Sequence, residues 1–226
     1  MRSLNRVAAI LGMSLVSVAA LPGTAQAATT AALWHMESSS ALTDSSGQNN
    51  NGTTTAITSV TGSVGKGYHF NGSTSVAKVP DSASLDPGTA ALRVTVRVRF
   101  TVVPNAKVGD YDLIRKGLSG TAGGDWKMEI NPPTSGSSMG TAYCYFQDSK
   151  GKGAAIRNGR NLADGVWHTI ACVKTSNSIQ VIVDGAARSN AVSLGSISNS
   201  QPVYIGQKPG ADKYVGDMDE VSIQVG

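Results

Sequence analysis

Oxygen-bearing side chains crowd one short stretch of the chain. In Asp44-Ser45-Ser46-Gly47-Gln48-Asn49-Asn50 they stand at Asp44, Ser46, Gln48 and Asn50, with a glycine that lets the backbone curl. Calcium takes about six to eight hard oxygen ligands, backbone carbonyls included, so this donor set suits it. The loop is not an EF-hand, because its glycine falls fourth rather than sixth and Thr55 stands where a bidentate glutamate belongs. The other reading is an Asx-turn closed by Asp44 alone. A second candidate is aromatic. Tyr143 and Tyr145 share a face opposite Cys144, and exposed rings with polar tips suit sugar binding; packing under a loop is the alternative. Trp126 is a further aromatic candidate for the same ligand surface. A third is cationic: Arg93, Arg97 and Arg99 alternate with Thr95 and Thr101, so the three guanidinium groups project from one strand face. On a concave surface they would grip carboxylates or sulfates of an acidic polysaccharide. The simpler alternative is a solvated face balanced by acidic residues of neighbouring strands.

Catalytic patterns are thin. Gly136-Ser137-Ser138-Met139-Gly140 matches G-x-S-x-G, but a nucleophile elbow needs a strand before it and a helix after it. Here the motif follows Asn131-Pro132-Pro133 and runs into an expected strand, so it reads as a turn. His35, His69 and His168 are far apart, and each alone is more often structural than a general base. A lyase using Tyr143 or Tyr145 with Arg97 stays open.

The elements that must position these residues are strands. From Leu92 to Val102 every even position is apolar and every odd one polar, a period of two that a helix does not produce. Asp125 to Ile130 puts Trp126, Met128 and Ile130 on one face, and Ser178 to Asp184 does the same with Ile179, Val181 and Val183 before an Asp-Gly turn. Further strands are expected at 33–37, 75–79, 111–115, 141–147, 166–174, 202–205 and 217–225. Glycine, asparagine, serine and proline clusters separate them, and no stretch has a helical period. The fold class is therefore all-β, a two-sheet antiparallel sandwich or jelly roll. The loops 116–124, 131–140 and 207–213, rich in glycine, proline and lysine, could form the rim of a binding surface.

The first 27 residues do not belong to that fold. Arg2 and Arg6, an uncharged apolar run from Val7 to Leu21 and the close Ala25-Gln26-Ala27 read as a secretory signal peptide, cleaved near Ala27-Ala28. That run is about 15 residues, short of the roughly 20 that span a bilayer, and no later stretch is longer. The mature chain, 28–226, is expected to be secreted as one domain. The two leader arginines supply half of the formal charge of +4, and so weak a field argues against nucleic acid as a partner. In an oxidising compartment Cys144 and Cys172 have one possible pairing, expected between neighbouring strands, and free buried thiols are the alternative.

Several segments together carry a resemblance. Leu33-Trp34-His35-Met36-Glu37, the 44–53 loop, Tyr68-His69-Phe70-Asn71-Gly72 and Val79-Pro80-Asp81 open the pattern. Asp164-Gly165-Val166-Trp167-His168, Val183-Asp184-Gly185, Val203-Tyr204-Ile205-Gly206 and Gly216-Asp217-Met218-Asp219-Glu220-Val221 continue it in order. The chain resembles laminin-G-like domains of the concanavalin A-like lectin/glucanase superfamily. The resemblance implies a jelly roll with adjacent first and last strands, and Trp167 as a core tryptophan beside Trp34. It implies a structural calcium for which Asp44, Glu37 and Asp219 match, and Asn50 of the oxygen-rich loop completes the candidate ligands. It also implies ligands among glycans, proteins or steroids. The chain lacks the E-x-D-x-x-E pattern of the superfamily's glucanases, and Asp219-Glu220-Val221 matches the close of non-catalytic modules. The expectation is a secreted binding module for a polysaccharide or other glycan, acidic ones included, held by Tyr143, Tyr145, Arg97, Arg99 and Trp126. A small hydrolase or lyase, and a wall or protein interaction module, are the other readings.

Overall fold

The structure, a computed structural model, describes residues 27–105, 109–133 and 140–226. The expected leader up to Gln26 and most of the G-x-S-x-G segment lie outside the described residues.

Among the described residues seventeen strands run in chain order. They are β1 (Thr29–Trp34), β2 (Thr53–Thr55), β3 (Thr58–Thr61), β4 (Lys66–Asn71), β5 (Val76–Val79) and β6 (Leu92–Arg99). Next come β7 (Tyr111–Lys116), β8 (Asp125–Asn131), β9 (Thr141–Gln147), β10 (Gly153–Asn158), β11 (His168–Lys174) and β12 (Ser178–Val183). The last are β13 (Ala186–Ala191), β14 (Val203–Ile205), β15 (Gln207–Lys208), β16 (Ala211–Lys213) and β17 (Val215–Val225). One sheet has the order β13-β12-β11-β6-β17-β4-β3, with β1 also paired to β17. The second has the order β10-β9-β8-β7-β14-β5-β2, and β15 and β16 form a separate hairpin. All named pairings are antiparallel, and the expected jelly-roll class is borne out. The first and last strands lie together, with Thr29 opposite Val225 and Trp34 opposite Val221.

Alternation decides which face of each strand meets the core. Leu92, Val94, Val96 and Val98 of β6 are fully buried, while the residues between them are only part-buried. Burying each such side chain contributes about 1.5–3 kcal/mol, so the register of this central strand is strongly specified. From the second sheet, Trp126, Met128 and Ile130 of β8 pair with Phe146, Cys144 and Ala142 of β9, and all six point inward. Trp126 thus belongs to the core and not to the ligand surface expected for it. It is 1% exposed, in register with inward Phe146, because its strand phase is that of Met128 and Ile130.

Two lysines occupy inward phase at strand ends. Lys116 is fully buried, and its ammonium donates to Asp81 and Asp86 at 2.7 Å each and to the Asn199 carbonyl. Lys174 reaches the Thr89 and Ala90 carbonyls. Both charges sit where side chains can exit the sandwich toward loop oxygens, which keeps a buried cation paired.

Cys144 and Cys172 are bonded, with Cα atoms 5.6 Å apart. They stand on β9 and β11, strands of opposite sheets, so the bridge crosses the core instead of joining neighbouring strands as expected. Cys172 lies opposite Val94, and Cys144 opposite Met128, which explains why both point into the same interior. Replacing both cysteines by alanine is expected to lower the unfolding free energy by about 3–4 kcal/mol, the scale for a bridge spanning 28 residues. Denaturant titration reads this, and a midpoint unchanged from the parent would refute the role given to the bridge.

Candidate functional site

The residues expected to share one ligand surface are divided between the two sheets. Arg97 and Arg99 lie on the outer face of β6, in the first sheet, whereas Tyr143 and Tyr145 lie on the outer face of β9, in the second. Arg99 is locally balanced. Arg99 donates from Nε and Nη2 to Asp217 Oδ2 at 3.0 and 2.8 Å, and the other oxygen of Asp217 meets His69 Nδ1 at 2.8 Å. Arg97 lies across the strands from Asp219 and donates to Ser63 Oγ at 3.2 Å. The Arg99 guanidinium also covers the ring of Trp167, 4.8 Å from its centroid. Trp167 is accordingly half-buried on the surface, not the core tryptophan that the resemblance implied, because it precedes β11 outside the sandwich.

The expected calcium ligands do not converge. Asp44 Oδ1 accepts from the Leu33 and Ser46 amides at 2.9 Å each. Its Oδ2 accepts from Ser46 Oγ and the Asn50 amide at 2.8 Å each. Burial works against the charge, but these bonds outweigh it and hold the Asp44 carboxyl below its usual range. Asn50 ties its side-chain amide to the Ala31 carbonyl and Ser84 Oγ, and its own carbonyl accepts from Trp34 Nε1 at 2.8 Å. Asp219 Oδ2 accepts from the Ser63 amide and hydroxyl and from the Val64 amide, and Glu37 accepts from the Lys66 amide. Among the described residues no three His, Cys, Asp or Glu side chains gather as a metal site. Four donors already surround the Asp44 carboxylate, so these residues do not fit a calcium ion as arranged. They fit a hydrogen-bonded hub that fastens the 44–50 loop to β1.

What the fold does gather is a recess over β7, β8 and β9. Arg115, Leu118, Ser119, Asp125, Lys127, Tyr143, Tyr145 and Lys208 line a cavity of about 410 Å³. Outward positions of these strands alternate with the core positions, so Tyr143 lies across from Glu129 and Tyr145 from Lys127. Lys127 Nζ is 5.5 Å from the Tyr143 ring centroid and 6.0 Å from that of Tyr145, and the Arg157 guanidinium is 5.0 Å from Tyr143. Cations over ring faces hold the two phenols in place. The loops 116–124 and 207–213 contribute Leu118, Ser119 and Lys208 to the lining, and most of the third expected rim loop, 131–140, lies outside the described residues. Positive φ at Gly117, Gly123 and Gly124 lets the first loop lie against the sheet, where a Cβ on Gly124 would come 2.2 Å from the Gln147 carbonyl oxygen.

Charged side chains withdrawn from solvent lie in and beneath the recess. Asp112, Arg115, Asp125 and Glu129 are at most 3% exposed. Arg115 Nη1 meets Asp112 Oδ2 at 2.5 Å, and Lys127 Nζ meets Glu129 Oε1 at 2.6 Å. A register shift between Asp112 and Ile114 turns Asp112 outward opposite Glu129 while Leu113 and Ile114 both stay in the core. Burial pushes the Asp112 carboxyl up to about 7 against the pull of Arg115, and burial raises Glu129 against the pull of Lys127. Burial likewise raises both tyrosine phenols, with Glu129 adding to the effect at Tyr143 and Asp125 at Tyr145. Sequence reasoning missed Asp112, Arg115, Asp125, Lys127 and Glu129 as a site. The signal was available, since the alternation that sends Trp126, Met128 and Ile130 inward sends Asp125, Lys127 and Glu129 outward.

With this geometry in view, comparison with known proteins places the chain. It belongs to the concanavalin A-like lectin/glucanases superfamily, whose laminin-G family model matches residues 70–224. No curated protein sequence matches it. Among solved structures it is similar to the binding domain of Paraclostridial Mosquitocidal Protein 1, with 17% identity and a TM-score of 0.66 over 87% of this chain and 48% of that one. It is also similar to domain 4 of AbnA, a GH43 extracellular arabinanase from Geobacillus stearothermophilus, solved with arabinotriose. There identity is 16% and the TM-score 0.64, over 89% of this chain and 94% of that one. A third is the binding domain of Botulinum Neurotoxin DC in complex with SialylT, at 11% identity and a TM-score of 0.62 over 86% and 47% of the two chains. The chain thus spans about half the length of the toxin binding domains it matches.

Two expectations follow. A calcium chelator is expected to leave the melting midpoint unchanged, whereas Asp44→Ala lowers it by several degrees through loss of the loop hub; a drop on chelation would restore the metal reading. For Asp112 the folded carboxyl binds its proton more tightly than the unfolded one, near 3.8, so its share of stability falls as pH rises from about 4 to 7. Asp112→Asn, which strands Arg115 and so destabilises outright, should therefore lose less relative to the parent as pH rises across that window in denaturant titrations, and parallel pH profiles would count against it.

Proposed function

We propose that the protein is a secreted, non-catalytic carbohydrate-binding module, and that the glycan lies in the recess over β7–β9 against Tyr143 and Tyr145. One observation carries this reading: two tyrosines, side by side on alternate residues of one strand, line a cavity with charged hydrogen-bonding groups at its floor. Sugar rings present apolar C–H faces to an aromatic ring and hydroxyls at their edges, so a site of this kind satisfies both at once. The arabinotriose and SialylT complexes of the similar domains support a glycan as the ligand class. Export rests on the leader pattern at residues 1–27.

A hydrolytic reading has its own observation. Asp112 and Glu129 face each other in register with both carboxyls raised, as a pair of acids in a glycosidase would be. Each is nevertheless nearly inaccessible and closed by an ion pair, so binding stands first.

A soluble glycan panel tests the reading by calorimetry and by release of reducing ends. Tyr143→Ala and Tyr145→Ala are each expected to weaken the bound glycan on the order of tenfold, while Arg97→Ala and Arg99→Ala leave affinity unchanged. Loss of binding on the arginine variants alone would move the site to the first sheet. Turnover abolished by Glu129→Gln would replace binding with catalysis.

A further inference from the structure

The lining of the recess holds Arg115, Lys127 and Lys208 against Asp125 alone, a balance that on counting would favour an acidic polysaccharide. Pairing reverses that impression. Arg115 is committed to Asp112 through Nη1, and its Nε donates to the Gly117 carbonyl at 2.9 Å. Lys127 is committed to Glu129, and Lys208 to Asp212 at 3.1 Å. Every lining cation therefore has its own carboxylate within the protein.

The unmatched group is an acceptor. Asp125 is 2% exposed, lines the cavity, and its Oδ1 is buried without a hydrogen-bond partner. Only the longer-range attraction of Arg115 and Lys127 offsets its burial. Gly117 enforces this position: in its left-handed conformation, a Cβ there would lie 2.9 Å from the Asp125 Cβ, so the rim loop is pressed onto the aspartate. Asp112 Oδ1 is also without a partner, but Asp112 does not line the cavity. A buried carboxylate oxygen that lacks a donor is costly, and a ligand relieves that cost only by bringing one. A sugar hydroxyl does so. A uronate or sulfate brings acceptors instead, places like charge beside Asp125, and finds each cation of the lining already neutralised; Arg157, beside Tyr143 and outside the lining, bonds the Asn131 side-chain oxygen.

We propose that the recess selects neutral glycans, and that Asp125 sets this specificity by accepting a hydroxyl hydrogen bond from the sugar unit seated at Tyr145. This rests on the carbohydrate-binding reading above and overturns the acidic ligand suggested by the arginine strand. On this reading the donor that Asp125 Oδ1 lacks within the protein is supplied by the ligand.

The test compares a neutral polysaccharide with the same polymer after its C6 hydroxyls are oxidised to carboxylates. Barley β-glucan, galactan and galactomannan serve as starting polymers, measured by calorimetry at low salt with the full secreted chain. For a polymer that binds, oxidation is expected to lower affinity at least tenfold. Asp125→Asn, which keeps the shape and removes the charge, should weaken the neutral polymer and shrink the penalty for oxidation. Equal or tighter binding of the oxidised polymer by the parent protein overturns the proposal and needs no variant. Unchanged affinities in a folded Asp125→Asn protein overturn the role of Asp125. Binding to none of the panel in either form, with Tyr143→Ala indistinguishable from the parent, would instead bring down the carbohydrate reading itself.

Discussion

Charged side chains on the outer face of β7 and β8 are withdrawn from water, and they remain there only because opposite charges meet within the same face. Arg115 with Asp112 and Lys127 with Glu129 close that account. Removing one member would strand the other as a buried charge, which is far costlier than the pair is beneficial. The recess exists on these terms.

The rest of the molecule holds that face in position. The disulfide between β9 and β11 crosses the core directly behind the tyrosine strand, so Tyr143 and Tyr145 flank a residue anchored to the opposite sheet. The bulge in β7 turns Asp112 outward without taking an apolar side chain from the interior. The hairpin of β15 and β16 brings Lys208 and Asp212 over the edge of the recess, and Gly117 lets the other loop press against Asp125. The first sheet has a different character. Its Arg99, Asp217 and His69 form a part-exposed network in which the Arg99 charge is satisfied locally.

Much of the strand layout was legible from period-two alternation, because a half-buried strand writes its core face into every second residue. Thr141–Gln147 was bounded as expected, and β6, β8 and β12 agree within a few residues of their ends. The strands at 53–55, 58–61, 66–71, 153–158 and 186–191 were not legible. β13 is exposed along its whole length and is a strand only because β12 pairs with it, so no apolar phase marks it. The first strand ends at Trp34 instead of Glu37, with Met36 at positive φ where the chain turns away. The site was half legible: the tyrosines were found, but Arg97 and Arg99 were joined to them across a core that separates the sheets, and Trp126 was assigned to the wrong side of its own strand.

By itself the sequence determined the all-β class, the phase of the central strands, the only possible cysteine pairing and the superfamily, since each depends on local alternation, residue counts or motif order. The tertiary structure alone decided which charges cancel and which surface is recessed. It separated the arginine strand from the tyrosine strand, filled the Asp44 carboxylate with protein donors, and left Asp125 without one. Those outcomes depend on which strands become neighbours and which loops fold over them, and pairing between residues far apart in the chain is not written in the spacing of either partner.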